Sequence, residues 1–171
     1  MKNNTLLIIF IVLTSLACDK KDDFINEESG VVELAGEWYV HYDHPVYGAD
    51  PFGVGYTSVI TYNTSFDDGK EIWINDQGNF WAYQVKIPVN VTSLTFGSQD
   101  TVVNHIDGYD IKVLVRNGKI IKNASKRQSG AIADSIYYEL WFEDLEGQTG
   151  IASDTLLVSG FRRTGFLEDE P

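Results

Sequence analysis

The sequence contains a single cysteine, Cys18, so no disulfide can form within the chain. It has only 13 Lys and Arg against 25 Asp and Glu. So acidic a chain argues against binding to nucleic acid and against electrostatic docking on anionic lipid headgroups. Histidine is also scarce, and the separations of His41, His44 and His105 fit no short metal-ligand motif. We therefore expect neither a metal site nor any other cofactor.

The lone cysteine follows a segment that is typical of exported proteins. Lys2 precedes the apolar run at 6–13, and small residues then lead to Cys18. The run is too short to cross a bilayer, which needs about 20 apolar residues. Ala17-Cys18 resembles the end of a lipobox, where the thiol is acylated, for example with palmitate, and the chain is cut before it. We predict a lipoprotein signal peptide at 1–17; an ordinary secretion signal with an incidental cysteine is the alternative.

Residues 18–33 show no sustained periodicity and are predicted to be a flexible acidic tether. Asp19, Asp22 and Asp23 follow the cysteine closely. Such a cluster resembles the export signal that sends Bacteroidetes lipoproteins to the outer face of the outer membrane. This predicts a cell-surface protein held by its lipid anchor; a solvated linker is the alternative. Without residues 1–17, which hold one basic residue, the chain has 12 basic and 25 acidic residues, a net charge of −13.

Residues 34–171 are predicted to form one all-β domain. Short segments of alternating apolar and polar residues recur along this region, and none shows helical spacing over three turns. Asn117-Gly118 is the strongest two-residue hairpin signal, and a strand is predicted from Asn79 to Ile87. Strands joined in sequence by hairpins favour an antiparallel up-and-down β-barrel of about eight strands, which can hold one small ligand. A β-sandwich is the alternative.

Charged positions predict which face of each strand points inward. Glu37 and Glu139 mark the outer faces of two strands. The opposite faces supply the predicted ligand-lining set, which comprises Trp38, Val40, Tyr42, Tyr138, Leu140 and Phe142. Apolar walls with a few hydroxyl and indole donors are what pockets for hydrophobic molecules use; ordinary core packing is the alternative for each residue. The glycine-rich segment 48–55 is predicted to be a flexible loop that could cover the barrel mouth.

Motifs at both ends of this domain resemble those of known protein families. Gly36-Glu37-Trp38 is similar to the G-x-W motif of lipocalins and the wider calycin superfamily, and Gly160-Phe161-Arg162-Arg163 ends the last predicted strand. Together they resemble a Bacteroidetes lipoprotein family described as "lipid-binding putative hydrolases", over roughly residues 33–169. The calycin resemblance implies that Arg162 or Arg163 packs across Trp38 and closes the barrel floor. The hydrolase description assigns no residue.

Three function classes remain open. The first is a lipid-anchored barrel that binds a hydrophobic or amphipathic small molecule. The second is an envelope protein-interaction module that uses Trp73 and Trp141 on the surface. The third is a hydrolase, although the sequence has no G-x-S-x-G nucleophile motif. A Ser or Asp within hydrogen-bond reach of His41, His44 or His105 in a cleft would favour the hydrolase.

Overall fold

The computed structural model describes residues 28–151 and 154–171. The predicted signal peptide, Cys18 and the first part of the tether lie outside the described residues. Within these ranges there is one short helix, α1 (Leu145–Thr149), and a single 3-10 turn, Leu167–Asp169. No helix among the described residues is long and apolar enough to cross a membrane. The same ranges contain nine strands: β1 (Gly36–Asp43), β2 (Thr57–Asn63), β3 (Glu71–Asn75), β4 (Gln84–Asn90), β5 (Thr95–Phe96), β6 (Val102–Val103), β7 (Lys112–Lys126), β8 (Ile132–Phe142) and β9 (Leu156–Arg162).

Eight of these strands form a closed antiparallel barrel. Strands β1 to β5 pair in chain order, β5 pairs with β7, and β8 and β9 complete the ring back to β1. The short strand β6 pairs with β7 beside the ring. The predicted all-β up-and-down barrel is therefore confirmed, and the sandwich alternative is wrong. Ring closure gives every barrel strand two neighbours, which removes the exposed edges of an open sheet.

Asn117-Gly118 does not form the predicted hairpin. Strand β7 continues through it, with a bulge opposite β8 between Arg116 and Lys119. Asn117 takes a positive φ of 53°, which this residue type tolerates. A Cβ on Gly118 would lie 2.2 Å from Cδ2 of Phe96. The dipeptide thus bends β7 where the Phe96 ring of β5 packs against it. The hairpin prediction failed because bulges and tight turns favour the same residue types.

Residues 79–83 are likewise not a strand, since β4 begins only at Gln84. The loop winds around the carboxylate of Asp76, which is fully buried. A buried carboxylate needs hydrogen-bond donors, and here the backbone supplies them. The carboxylate accepts five N–H bonds of 2.9–3.1 Å, from Gly78, Phe80, Trp81, Ala82 and Tyr83.

The end of the barrel where β1 starts and β9 finishes is called the floor, and the opposite end is called the mouth. Residues 29–35 form turns against the floor, and Val31 and Leu34 are buried there. Ser29 Oγ donates a 2.6 Å hydrogen bond to Asp67 in the β2–β3 loop. The predicted boundary at residue 34 therefore falls inside a packed segment, and the described chain enters the domain at its floor.

Candidate functional site

All six residues of the predicted ligand-lining set point into the barrel, and each has no exposed surface. Alternation places Trp38, Val40 and Tyr42 on the inner face of β1. The same rule places Tyr138, Leu140 and Phe142 on the inner face of β8. The structure therefore brings these residues together, and their side chains pack into one continuous core. Whether they contact a ligand stays a prediction.

Three phenols cross the interior and form a tyrosine cluster, defined by Tyr42, Tyr83 and Tyr138. The Tyr83 hydroxyl lies 2.5 Å from that of Tyr138 and 3.4 Å from that of Tyr42. Burial raises the pKa of all three hydroxyls well above the ordinary value. They are therefore neutral hydrogen-bonding groups within apolar walls. Around the tyrosine cluster, the interior of the barrel is occupied by side chains of the protein itself.

A ring cluster of Phe52, Phe80 and Trp81 covers the mouth. Phe80 stacks on Tyr42 with ring centroids 4.0 Å apart, and Trp81 stacks on Phe142 at 5.4 Å. Phe52 lies 5.5 Å from Phe80 and 5.7 Å from Trp81. Phe52 belongs to the segment predicted as a covering loop. These contacts are mainly ring against ring, so rotation of a few side chains would uncover the tyrosine cluster.

Polar groups fix the positions of the loops around the mouth. Trp81 Nε1 donates to Asp144 Oδ1 at 3.0 Å, and the Tyr109 hydroxyl donates to Asp144 Oδ2. Burial, together with this bond to the carboxylate, raises the pKa of Tyr109 to about 12. Asp144 thus ties the β3–β4 loop to the loop that precedes β7.

His44 holds the β1–β2 loop in place. Its Nδ1 accepts backbone N–H bonds from Val46 and Tyr47 at 2.9 and 3.0 Å. Its Nε2 lies 2.5 Å from Asp154 Oδ1, and both side chains are buried. Because Nδ1 accepts, Nε2 must carry the proton. Both ring nitrogens are committed, so His44 has no lone pair free for proton abstraction.

The floor is closed by Arg162 stacked on Trp38. The guanidinium carbon lies 4.4 Å from the indole centroid, and Trp38 Nε1 donates to Thr61 Oγ1 at 2.8 Å. Arg162 also donates to the carbonyl oxygens of Ala35 and Glu33 at 2.5 and 3.2 Å. This arrangement is what the calycin resemblance implies for one arginine of the pair.

The first glycine of the G-x-W motif makes room for that arginine. A Cβ on Gly36 would lie 2.5 Å from Nη1 of Arg162. Arg163 points the other way, to the outer surface, where it pairs with Glu37 at 3.1 Å and Glu170 at 2.7 Å. Both carboxylates raise the pKa of Arg163, that of Glu170 most. Of the predicted pair, only Arg162 therefore reaches Trp38.

An open groove of about 420 Å³ lies on the outer face of β1, β7, β8 and β9. Within this groove His41 Nε2 lies 3.1 Å from Ser159 Oγ, and His41 Nδ1 lies 3.1 Å from Asp43 Oδ1. His41 and Asp43 are two residues apart on one strand and so share a face, and β9 places Ser159 directly opposite His41. The Ser, His and Asp side chains are in the order that nucleophilic catalysis uses.

Aromatic and basic side chains line the rest of this groove. Tyr56 packs edge-on against His41 at 5.2 Å and against Phe161 at 5.6 Å. Lys119 and Arg127 also line the groove, and the Arg127 guanidinium covers the Phe161 ring at 3.2 Å. The groove thus combines two cations with an apolar wall, in a protein whose overall charge is negative.

The remaining sequence candidates lie apart from both places. Trp73 is half-buried on the outer face of β3, where His105 packs edge-on at 4.9 Å and the Lys86 ammonium lies 5.5 Å from its ring. Trp141 is half-buried on the outer face of β8. In the part of the chain that the structure describes, no group of three His, Cys, Asp or Glu side chains could hold a metal ion.

The fold and the sealed floor define a calycin-like β-barrel protein. A family model described as "Lipid-binding putative hydrolase" matches residues 23–167. This match covers most of the chain, so the protein belongs to that family, and the resemblance drawn from the two end motifs is confirmed. A search of curated proteins found no match. The family description combines lipid binding and hydrolysis, and the barrel interior and the outer groove are the places where each can be tested.

Proposed function

We propose that this protein binds a lipid-like, hydrophobic or amphipathic molecule inside its barrel while acyl chains on Cys18 hold it at a membrane. The observation that carries the binding proposal is a closed barrel with an apolar inner face and a buried hydroxyl cluster, in a family described by lipid binding. Small-molecule pockets typically combine apolar walls with a few placed polar groups. The proposed ligand has an acyl chain for the walls and a polar end for the tyrosine cluster.

Entry is proposed to occur at the mouth. The ring cluster lies directly above Tyr42 and Phe142. Opening the floor would instead break the hydrogen bonds of Trp38 and Arg162. The rings of Phe52, Phe80 and Trp81 are only partly buried, and one side-chain hydrogen bond, from Trp81 to Asp144, would break when a ligand displaces them. Displacing them therefore costs less than breaking the buried polar network of the floor.

The proposed anchor sits on the opposite side from this entrance. Only ten positions separate Cys18 from Glu28, where the described chain begins near the floor. Phe66 and Leu167, both in loops at the floor end, are 79% and 85% exposed. A floor that faces the bilayer would leave the mouth open to the surroundings. The acidic residues after Cys18 support a cell-surface location as part of the same proposal.

Fluorescent fatty-acid binding to the full chain carrying Cys18→Ser tests the binding proposal. Tyr138→Phe keeps the ring but removes one hydroxyl, so we expect affinity to fall about fivefold, the equivalent of one lost hydrogen bond of about 1 kcal/mol. Phe80→Ala should speed probe uptake because it uncovers Tyr42. Phe66→Ala is the matched control at the floor end and should change neither quantity. Absence of probe uptake by the parent protein would reject binding in the barrel.

Metabolic palmitate labelling tests the anchor. Cys18→Ser should abolish labelling and release the protein from the membrane fraction. Replacing Asp22 and Asp23 with Ala should leave labelling intact and reduce cleavage by protease added to whole cells. Labelling that persists in Cys18→Ser would reject the lipoprotein proposal. Unchanged cleavage in the aspartate variant would mean that the acidic cluster is a solvated linker and not an export signal.

A further inference from the structure

We propose that the outer groove is a carboxylic ester hydrolase site in which Ser159 is the nucleophile, His41 the general base and Asp43 the residue that orients it. This inference is independent of ligand binding in the barrel, because every one of these side chains points outward. The His41–Ser159 and His41–Asp43 contacts, both 3.1 Å, carry it.

The hydrogen bonds of His41 leave the required nitrogen available. The Nδ1–H of His41 donates a hydrogen bond to Asp43 Oδ1, so Nε2 presents its lone pair to the Ser159 hydroxyl. Asp43 is itself held by the Asp50 N–H at 3.2 Å, and Tyr56 packs against the imidazole edge-on. His41 is therefore oriented from two sides. His44 forms the opposite case, because its two nitrogens are occupied by backbone donors and a buried carboxylate.

Solvent and substrate can reach this site. The side chains of His41 and Asp43 are 28% and 29% exposed. The residue after the nucleophile is Gly160, where a Cβ would lie 2.0 Å from the Tyr39 carbonyl oxygen. Glycine lets β9 approach β1 closely there, which is the approach that brings Ser159 opposite His41.

The lining of the groove indicates the substrate class. Tyr56 and Ile121, both well exposed, offer an apolar wall for an acyl chain, and Lys119 and Arg127 offer positive charge. The volume of about 420 Å³ is at the small end of ligand pockets. We infer a carboxylic ester with a short acyl chain and an anionic group in its alcohol part.

The chemistry needs only water as co-reactant. Ser159 Oγ attacks the carbonyl carbon as its proton passes to His41 Nε2, and a tetrahedral intermediate forms. The ester C–O bond then breaks, and the leaving alcohol takes the proton from His41. Water next gives a proton to His41 and attacks the acyl-serine, which releases the carboxylic acid and restores the Ser159 hydroxyl. Lys119 or Arg127 can stabilise the negative charge that develops on the carbonyl oxygen.

Fluorophosphonate labelling of the full chain carrying Cys18→Ser tests the nucleophile directly. The probe should attach to Ser159, as located by peptide mass spectrometry, and His41→Gln should suppress labelling. Hydrolysis of p-nitrophenyl butyrate should fall about 10²–10⁴-fold in His41→Gln, which removes the general base, and at least as much in Ser159→Ala, which removes the nucleophile. Asp43→Asn should lower the rate and change its pH profile, because the amide no longer fixes the proton on Nδ1. Ser93→Ala, an exposed serine away from the groove, is the matched control and should behave as the parent protein.

These readouts separate the groove from the barrel. Labelling at Ser159 that depends on His41 supports the proposal, and turnover then measures the activity. Failure to label Ser159, or full hydrolysis in Ser159→Ala, overturns it. Fatty-acid probe binding should be unchanged in Ser159→Ala, so loss of one activity does not count against the other. Denaturation curves of each variant show whether a loss is due to unfolding.

Discussion

The floor of the barrel is held by hydrogen bonds and ion pairs, whereas its mouth is covered mainly by contacts between aromatic rings. At the floor Trp38 bonds to Thr61, and Arg162 bonds to two backbone carbonyls while stacking on the indole. At the mouth Phe80 stacks on Tyr42 and Trp81 stacks on Phe142, and Trp81 also bonds to Asp144. Directed polar bonds fix one geometry, but ring contacts tolerate several. This difference supports the proposal that a ligand enters at the mouth and not at the floor.

The largest expected difference between the two ends is the cost of removing a tryptophan. Trp38→Ala should lower the free energy of unfolding by about 3–5 kcal/mol, because it removes a fully buried ring. Trp81→Ala, its counterpart at the mouth, should cost clearly less, since Trp81 is only partly buried. Urea denaturation measures both. Equal losses would mean that the mouth is as rigid a part of the core as the floor.

Asp76 fixes the loop that carries Phe80 and Trp81 at the mouth end. Asp76→Asn removes a charge and replaces one acceptor oxygen with a donor, so several of the five loop N–H groups lose their partner. We expect a loss of about 2–4 kcal/mol. The ring cluster should also become mobile, because this loop carries Phe80 and Trp81. Tryptophan fluorescence would report that change, and an unaltered spectrum would show that the rings hold themselves in place.

Local pattern predicted the inner faces of the strands because alternation is a property of the strand itself. Leu156 and Val158 are buried on β9. Arg162 lies on the same strand face as these two residues and Arg163 does not, so alternation in the sequence alone could have identified Arg162 as the arginine that packs on Trp38. The Asn117-Gly118 bulge was not, because it depends on Phe96 packing from β5. The loop around Asp76 was missed because its backbone bonds to a side chain, which leaves no periodic signal.

The outer groove could not be predicted from the sequence either. The spacing of His41 and Asp43 shows that they share a strand face, but Ser159 is 118 residues away. Only the β1–β9 register brings it opposite His41. Strand register is set by the whole closed barrel, and a shift by one residue would place Ser159 inside it.

The two arginines provide a matched pair for the floor. Arg162→Lys should cost about 0.5–2 kcal/mol, because lysine cannot reproduce the flat stack on Trp38 together with two carbonyl contacts. Arg163→Lys should change stability little, since exposed ion pairs with Glu37 and Glu170 contribute about 0–1 kcal/mol. Trp38→Ala combined with Arg162→Lys should cost less than the sum of the single changes. Strict additivity in this cycle would contradict the stacked floor.

The smallest expected effect is a pH dependence of the stability of the floor. Burial would raise the pKa of Asp134, but the Asn123 N–H, the Lys122 ammonium and the Arg162 guanidinium together hold it below the usual value. Lys122 and Arg162 lie 2.9 and 3.3 Å from its carboxylate. A lowered folded-state pKa means that this carboxylate stabilises the fold above its unfolded pKa of about 3.9 and loses that effect as the pH falls through the folded value.

Asp134→Asn should therefore cost about 0.5–1 kcal/mol at pH 7 and less in acid. Phe80→Ala at the mouth removes no titrating group, so its cost should be the same at both pH values. Urea denaturation of the parent and both variants at pH 7 and pH 3.5 measures this, and a pH-independent cost for Asp134→Asn would show that the ion pairs do not stabilise the floor.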